Sequence, residues 1–519
     1  MAGGGNGGQD SDVVKIEEVN PHPVMETLSG IHYCVNSTPP WPEAVILGFQ
    51  HYLLTVGMIA LISTLIVPQM GGGNFEKAMV IQNMLFASGL NTLLQSFFGT
   101  RLPAVIGSSY TFVIPATTIV LAGRYRTIGA DHPYERFEKT MRGIQGALII
   151  ASIFQISMGC FGFWRNIVRY LSPLSMVPLV TFTGLGLYHL GFPHYLNHYL
   201  KPTRSIYNRF ALIISTAIVW TYAQILASSG VYNHKSPQTQ SSCRSNPAAL
   251  INAAPWVCFP RPFLWGKPSF HLGEAVAMIA ASLIALTEST GTFLAVARYG
   301  SATPIPPSIL SRSAAWLGLG TLLNAVFGSV TGAAASVENA GLLALARVGS
   351  RRVIQISAAF MIFFSIFSKF GAVFASVPLP IIAAAYCIFF GYVSSAGLSF
   401  LQFCNLNSFR TIFILGFSCF MGISVPDYFR EYHLKSNSTP LRTRSQWFKD
   451  TVTVIFMSSS MVAALVGLFL DNTVERGEAA TRKDNGAHWW ERFILFTKDI
   501  RNVEFYSLPC RLNEYFPPL

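Results

Sequence analysis

The chain has 519 residues, 51% of them hydrophobic and 12% charged, with a net charge of +12 and a mean hydropathy of +0.42. Soluble domains carry about 25% charged residues, so this composition excludes an ordinary soluble enzyme, and the apolar bulk excludes a disordered chain. Eight cysteines are too sparse for a disulfide scaffold, and the basic residues form no nucleic-acid module but gather at the ends of apolar stretches, as in a polytopic membrane protein.

Residues 1–40 are Gly-rich, then charged, then Pro-rich, with no apolar signal core, and are expected to form a cytoplasmic tail. A membrane-crossing helix needs about 20 mostly apolar residues. Glu43 and Glu76 bound a first such stretch, in which His51 is the one ionisable interruption. Charge-free stretches follow at 78–100, 102–123, 143–164, 170–192 and 210–233. After a polar loop at 229–271 come 275–297, broken by Glu288, then 313–337 and 353–368. The stretch 370–409 has room for a further span, and 411–426 and 451–470 complete the set. With a short apolar piece at 338–345, the count is about thirteen crossings or half-crossings.

Cys243 and Cys258 lie in the polar loop and either pair, if it faces outside, or remain free thiols. Asn437-Ser438-Thr439 is a glycosylation pattern only in an external loop. Residues 472–519 are charged and polar and are expected to be cytoplasmic.

The chain repeats itself. Residues 89–100 read GLNTLLQSFFGT and residues 318–329 read GLGTLLNAVFGS, seven of twelve positions being identical at an offset of 229. A small-residue stretch follows each copy: Gly107-Ser108-Ser109-Tyr110-Thr111-Phe112 up to Pro115, and 332–336 running into Glu338-Asn339-Ala340-Gly341. Interrupted apolar segments at matching positions of two halves point to a transporter with inverted repeats. Broken helices expose backbone groups at membrane depth, tolerated only where they are buried or line a cavity. Two helix-packing segments rich in small residues are the alternative.

Two carboxylates sit at membrane depth. Glu288 lies inside an apolar span and Glu338 at the second broken segment. An ionisable group there costs a few kcal/mol, so it faces a cavity or a partner. Two of them suit a proton-coupled carrier, and a carboxylate accepts two adjacent N–H donors of a planar heterocycle. Gln50 and His51 in the first span are candidates for coupling or for bonding across helices. No nucleophile–base pair, P-loop or metal-ligand cluster is present, so neither catalysis nor a cofactor is expected.

The segment 338–347, Glu-Asn-Ala-Gly-Leu-Leu-Ala-Leu-Ala-Arg, resembles the signature of the nucleobase–ascorbate transporters. Gln50-His51, Ser108-Ser109-Tyr110, Glu288-Ser289-Thr290-Gly291 and the run from Val348 to Arg352 agree with it, and the likeness, closest to the plant branch, extends from about Pro21 to the C-terminus. The resemblance implies an all-α polytopic membrane protein with two inverted repeats of seven segments, and short strands in the third and tenth. Core-domain halves fall at 41–164 and 272–376, and gate-domain halves at 165–228 and 377–471. It implies proton-coupled uptake of a nucleobase by a plasma-membrane homodimer moving like an elevator. Glu288 would bind the base, Glu338 would bind it or shape the site, and Tyr110 would stack on it. Ser109, Asn339 and Gly341 would contribute contacts, while Gln50, His51, Thr292 and Arg347 would serve structure or coupling. An animal branch of the family carries ascorbate and has proline where this chain has Glu338, so a base is expected.

Three departures qualify this expectation. The signature threonine is Ala346, and Leu317 stands where the family has a polar residue. After Gly191-Phe192-Pro193 some twenty residues, about one gate helix, are missing. Six spans before seven would make a serial second repeat parallel, so a transport-inactive homologue is the alternative, beside ascorbate transport.

Overall fold

The computed structural model describes residues 30–120, 132–187, 209–231, 251–375, 379–436, 445–474, 485–491 and 493–509, with isolated positions besides (28, 125, 377, 440, 443). The stretch 193–201, Cys243 and the triplet 437–439 therefore lie outside the described residues.

The first half supplies α1 (Trp41–Met70), α2 (Asn74–Phe97), strand β1 (Ile106–Ser108), half-helix α3 (Val113–Val120, with a 3-10 first turn at Tyr110–Phe112) and α4 (Pro133–Cys160). It continues with α5 (Phe163–Arg169), α6 (Pro173–Leu185) and α7 (Ala211–Ser228). The second half opens with α8 (Leu272–Tyr299), α9 (Pro307–Val326), β2 (Ala333–Ala335), half-helix α10 (Val337–Ala346) and α11 (Arg351–Ile366). Then follow α12 (Ser368–Ala375), α13 (Leu379–Ser399), α14 (Phe409–Ser436), α15 (Gln446–Phe456) and α16 (Ser459–Thr473).

Among the described residues, five helices are long and apolar enough to cross a membrane alone, and α15 with α16, bent by 79°, forms a sixth candidate. The thirteen expected stretches exceed this count of the described residues in part because four apolar helices are short (Tyr110–Val120, Pro173–Leu185, Leu212–Ser228 and Val337–Ala346) and in part because two long ones carry polar groups. Helices α2 and α9 have ample length, but bury Gln82, Asn83, Asn91, Gln95 and Ser311, Thr321, Asn324 against protein. A helix enclosed by other helices need not be apolar all round.

The two halves exchange partners. Helix α4 packs on α9, and the corresponding α11 packs on α2; α1 packs on α11 as α8 packs on α4. The repeated glycine explains why. A Cβ on Gly318 would fall 2.6 Å from Ile156 N of α4, and one on Gly89 would fall 3.0 Å from Ala358 O of α11. Each copy of the repeat thus presents a glycine to the other half at near backbone contact. Asn91 donates to Gly320 O at 3.3 Å and to Asn324 Oδ1 at 3.0 Å, closing the junction between α2 and α9.

Helices α6, α13, α14 and α16 form a second group, α6 against α13 and α16, and α14 against α16. The first group meets it where α10 packs on α13 and where α8 packs on α6 and α15. Described segments near both termini pack on the body. Gly349 N donates to Tyr33 O at 2.7 Å and His32 N donates to Arg347 O at 2.9 Å, while Trp490, Phe493, Phe496, Phe505 and Tyr506 are buried.

Candidate functional site

Strands β1 and β2 cross antiparallel, with Gly107 opposite Ala334. Each strand is pinned by the threonine of its own repeat. Ile106 N donates to Thr92 Oγ1 at 3.0 Å, and Ala333 N donates to Thr321 Oγ1 at 3.2 Å. Three residues of strand leave backbone groups that a helix would satisfy internally, and side-chain hydroxyls supply partners instead. A serine then ends each strand and starts the half-helix. Ser109 Oγ accepts from Thr111 N at 3.2 Å, and Ser336 Oγ accepts from Asn339 N at 3.3 Å. The two half-helix N-termini, the positive ends of their dipoles, therefore begin at the strand crossing.

Glu288 is placed by α8, half-buried beside this crossing. Ala335 N donates to the hydroxyl of the adjacent Ser289 at 3.0 Å, which ties α8 to β2. Three hydroxyls hold the carboxyl. Thr111 Oγ1 donates to Oε2 at 2.6 Å, and Ser460 and Ser458 donate to Oε1 at 3.1 and 3.4 Å. Thr111 lies at the start of the first half-helix, whereas the serines lie at the bend between α15 and α16. One carboxyl thus touches both helical groups.

Glu338 is buried in the first turn of α10, and α10 packs on α13. Asn339 faces α1. His51 Nδ1 and Asn339 Oδ1 are 2.9 Å apart, and Asn339 Nδ2 donates to Ser336 Oγ at 2.7 Å and Thr55 Oγ1 at 3.1 Å. Its amide is used up by the protein, so Asn339 and His51 hold α10 against α1. Tyr110 is half-buried at the first half-helix.

Other expected residues are engaged away from the Glu288 carboxyl. Gln50 Nε2 donates to Arg209 O at 3.0 Å, while the Arg209 guanidinium pairs with Glu43, so Gln50 anchors the entry to α7. Thr292 Oγ1 donates back to Glu288 O at 2.9 Å within α8. A Cβ on Gly341 would lie 2.3 Å from Phe389 O, making Gly341 the contact of α10 with α13. Arg347 is exposed at the far end of α10, its φ of 56° capping the helix. Ala346 packs with Ala44, Leu47, Val348 and Val353, and Leu317 is buried in apolar surroundings.

Sequence reasoning missed Thr111, Ser458 and Ser460. A signal was available in the run Ser458-Ser459-Ser460 inside the apolar stretch 451–470, since hydroxyls there need partners. The arrangement brings together a carboxyl on a half-buried residue, a buried second one, an aromatic ring and two helix N-termini.

Comparison with known proteins adds kinship. A family model described as "Permease family" matches residues 42–208 and 201–431, in two pieces that overlap at 201–208. Nucleobase-ascorbate transporter 7 of Arabidopsis thaliana is 55% identical over 524 residues, covering 97% of each chain. Nucleobase-ascorbate transporter 6 of Arabidopsis thaliana is 55% identical over 537 aligned positions, more than the 519 residues present here, covering 100% of both. Nucleobase-ascorbate transporter LPE1 of Zea mays is 50% identical over 98% of this chain and 99% of its own. Among solved structures, murine Solute Carrier 26 family member A9 resembles the chain with a TM-score of 0.43 and 13% identity, over 85% of this chain and 69% of that one.

Proposed function

The chain belongs to the nucleobase–ascorbate transporter family, and on that premise we propose that it is a secondary active carrier of a purine or pyrimidine base, coupled to protons. Glu288 carries this reading. The residue is half-buried beside the strand crossing, and its carboxyl is bonded to hydroxyls of both helical groups. A planar base offers adjacent N–H donors that a carboxylate accepts in pairs. Binding a base would exchange some of the hydroxyl contacts for contacts to substrate, and a proton on the carboxyl would change what it can accept. Tyr110 would cover the ring, and Ser109 with the N-terminus of α10 would meet its carbonyl groups. Glu338 would shape the pocket from the buried side.

The antiparallel meeting of β1 and β2, together with the exchanged packing of α4 with α9 and α11 with α2, supports two halves running in opposite directions. Alternating access would be an elevator-like travel of the first helical group along the second, in a plasma-membrane homodimer.

Uptake of labelled xanthine, uric acid, uracil and ascorbate, with and without a protonophore, tests the proposal in cells lacking their own carriers, with surface expression measured in parallel. Saturable, protonophore-sensitive uptake of a base is the expected result. Uptake of ascorbate alone would make the chain the ascorbate carrier that its relatives' names also allow. A transport-inactive homologue is the second reading, favoured by the aligned span that exceeds this chain's length; no uptake of any of the four despite surface expression would establish it.

A further inference from the structure

Residues 485–506 touch both helical groups, at opposite ends of the segment. The first end is fixed to the second group. Asn485 accepts from Leu174 N at 3.3 Å and donates to Asp471 at 3.4 Å. Asp471 is itself buried, bonded to Ser172 Oγ at 2.6 Å and paired with Arg410 at 3.0 Å. Five residues on, Trp490 is buried edge-on against Phe400 and Phe403, with ring centroids 6.0 and 6.4 Å away.

The other end is fixed to the first group. The short helix Arg501–Tyr506 ends against two arginines: Arg312 Nη2 donates to Tyr506 O at 2.8 Å, and Arg351 Nη2 donates to Phe505 O at 3.2 Å. Last-turn carbonyls have no helical partner and carry partial negative charge, so guanidinium groups suit them. Asn502, fully buried, bonds to Thr303 Oγ1 at 2.8 Å, and the Tyr506 hydroxyl donates to Thr303 O. Thr303 belongs to the link between α8 and α9.

The middle of the segment is folded, with Phe493 and Phe496 buried and Asn502 Nδ2 donating to Phe496 O at 3.2 Å. Between the anchors, Leu294, Arg298 and Ala302 of one group and Phe400, Phe403 and Trp490 line a shared small void. Travel of one group along the other must either break an anchor or unfold this middle part, which, extended, reaches about 3.3 Å per residue.

We propose that residues 485–506 form a strap that restrains travel between the two helical groups and biases the carrier towards the conformation described here. This rests on the elevator reading of the proposed function. The strap is a brake, not a hinge: loosening either anchor speeds opening of the seam, and locking an anchor slows it.

The test uses the full-length protein in detergent or nanodiscs. Hydrogen exchange is followed at the seam, in the half-helix Val337–Ala346 and the helix Leu379–Ser399. Trp490→Ala loosens one anchor, and exchange at the seam is expected to rise about fivefold or more. Thr303→Cys with Asn502→Cys, bridged by a short reversible thiol cross-linker, locks the other, and exchange is expected to fall below that of the same protein after reduction. The reduced protein is its own folding control. Unchanged seam exchange in both comparisons would overturn the strap. Uptake of labelled xanthine and uracil in the same variants is the second readout: if the parent chain carries no base, the carrier reading fails while the exchange comparison still decides whether the strap restrains the seam.

Discussion

Thr111 donates its hydroxyl to Glu288 Oε2 at 2.6 Å, joining the first half-helix to the middle of α8 across 177 residues of sequence. This bond brings a half-helix N-terminus and a membrane-depth carboxyl to one place. Ser460 and Ser458 complete the arrangement from the other helical group. The carboxyl is thus poised where relative movement of the groups would remake its contacts.

Glu288→Gln retains the shape and removes the charge and one acceptor. Hydrogen bonds to charged groups are worth about 1.5–3 kcal/mol, so uptake of base is expected to fall at least tenfold at unchanged surface expression. Uptake at the parent level would remove Glu288 from the binding site.

Thr111→Val and Ser460→Ala each delete one hydroxyl that holds Glu288. Losing one such bond, worth about 1 kcal/mol net, should raise KM for the base several-fold while expression stays normal. Kinetics measured on the double variant should show an effect different from the sum, since both hydroxyls act on one carboxyl.

Asn339→Ala strips a buried network of its centre, leaving His51, Thr55 and Ser336 without that partner. Unsatisfied buried groups cost about 1–3 kcal/mol. A lower melting temperature of the purified protein is expected, along with lower expression. A loss of uptake at full stability would show instead that the amide serves substrate.

Gly341→Ala and Gly107→Ala form a contrasting pair. The new methyl at 341 would lie 2.3 Å from Phe389 O, whereas at 107 the nearest atom is Thr55 Cγ2 at 3.9 Å. Overpacking costs about 1–3 kcal/mol. The 341 variant should lose stability and uptake together, and the 107 variant should fold like the parent, as a thermal shift assay would show.

Ala346→Thr restores the family's signature residue in a place where Ala44, Leu47, Val348 and Val353 surround it. A hydroxyl in that cluster has no role at Glu288. Uptake is expected to stay within about twofold of the parent, a change below 1 kcal/mol; a gain from zero to robust uptake would vindicate the inactive reading.

Composition and charge spacing alone determined the membrane class, because the cost of dehydrating charge acts residue by residue. The repeat at 89–100 and 318–329 likewise located both broken segments. Glu288 and Glu338 were legible for the same reason: a carboxyl inside an apolar stretch stands out without any fold. Partners were not legible. Gln50, Thr292 and Arg347 are expected from the sequence to serve structure or coupling, but not with which partner: one holds the carbonyl of Arg209, one bonds within its own helix and one caps a helix end. The hydroxyls around Glu288 come from 177, 170 and 172 residues away, and the 485–506 segment, charged and polar by sequence, is anchored on both helical groups. Which polar groups meet depends on how helices from the two halves exchange neighbours, and that is settled by packing of the whole chain.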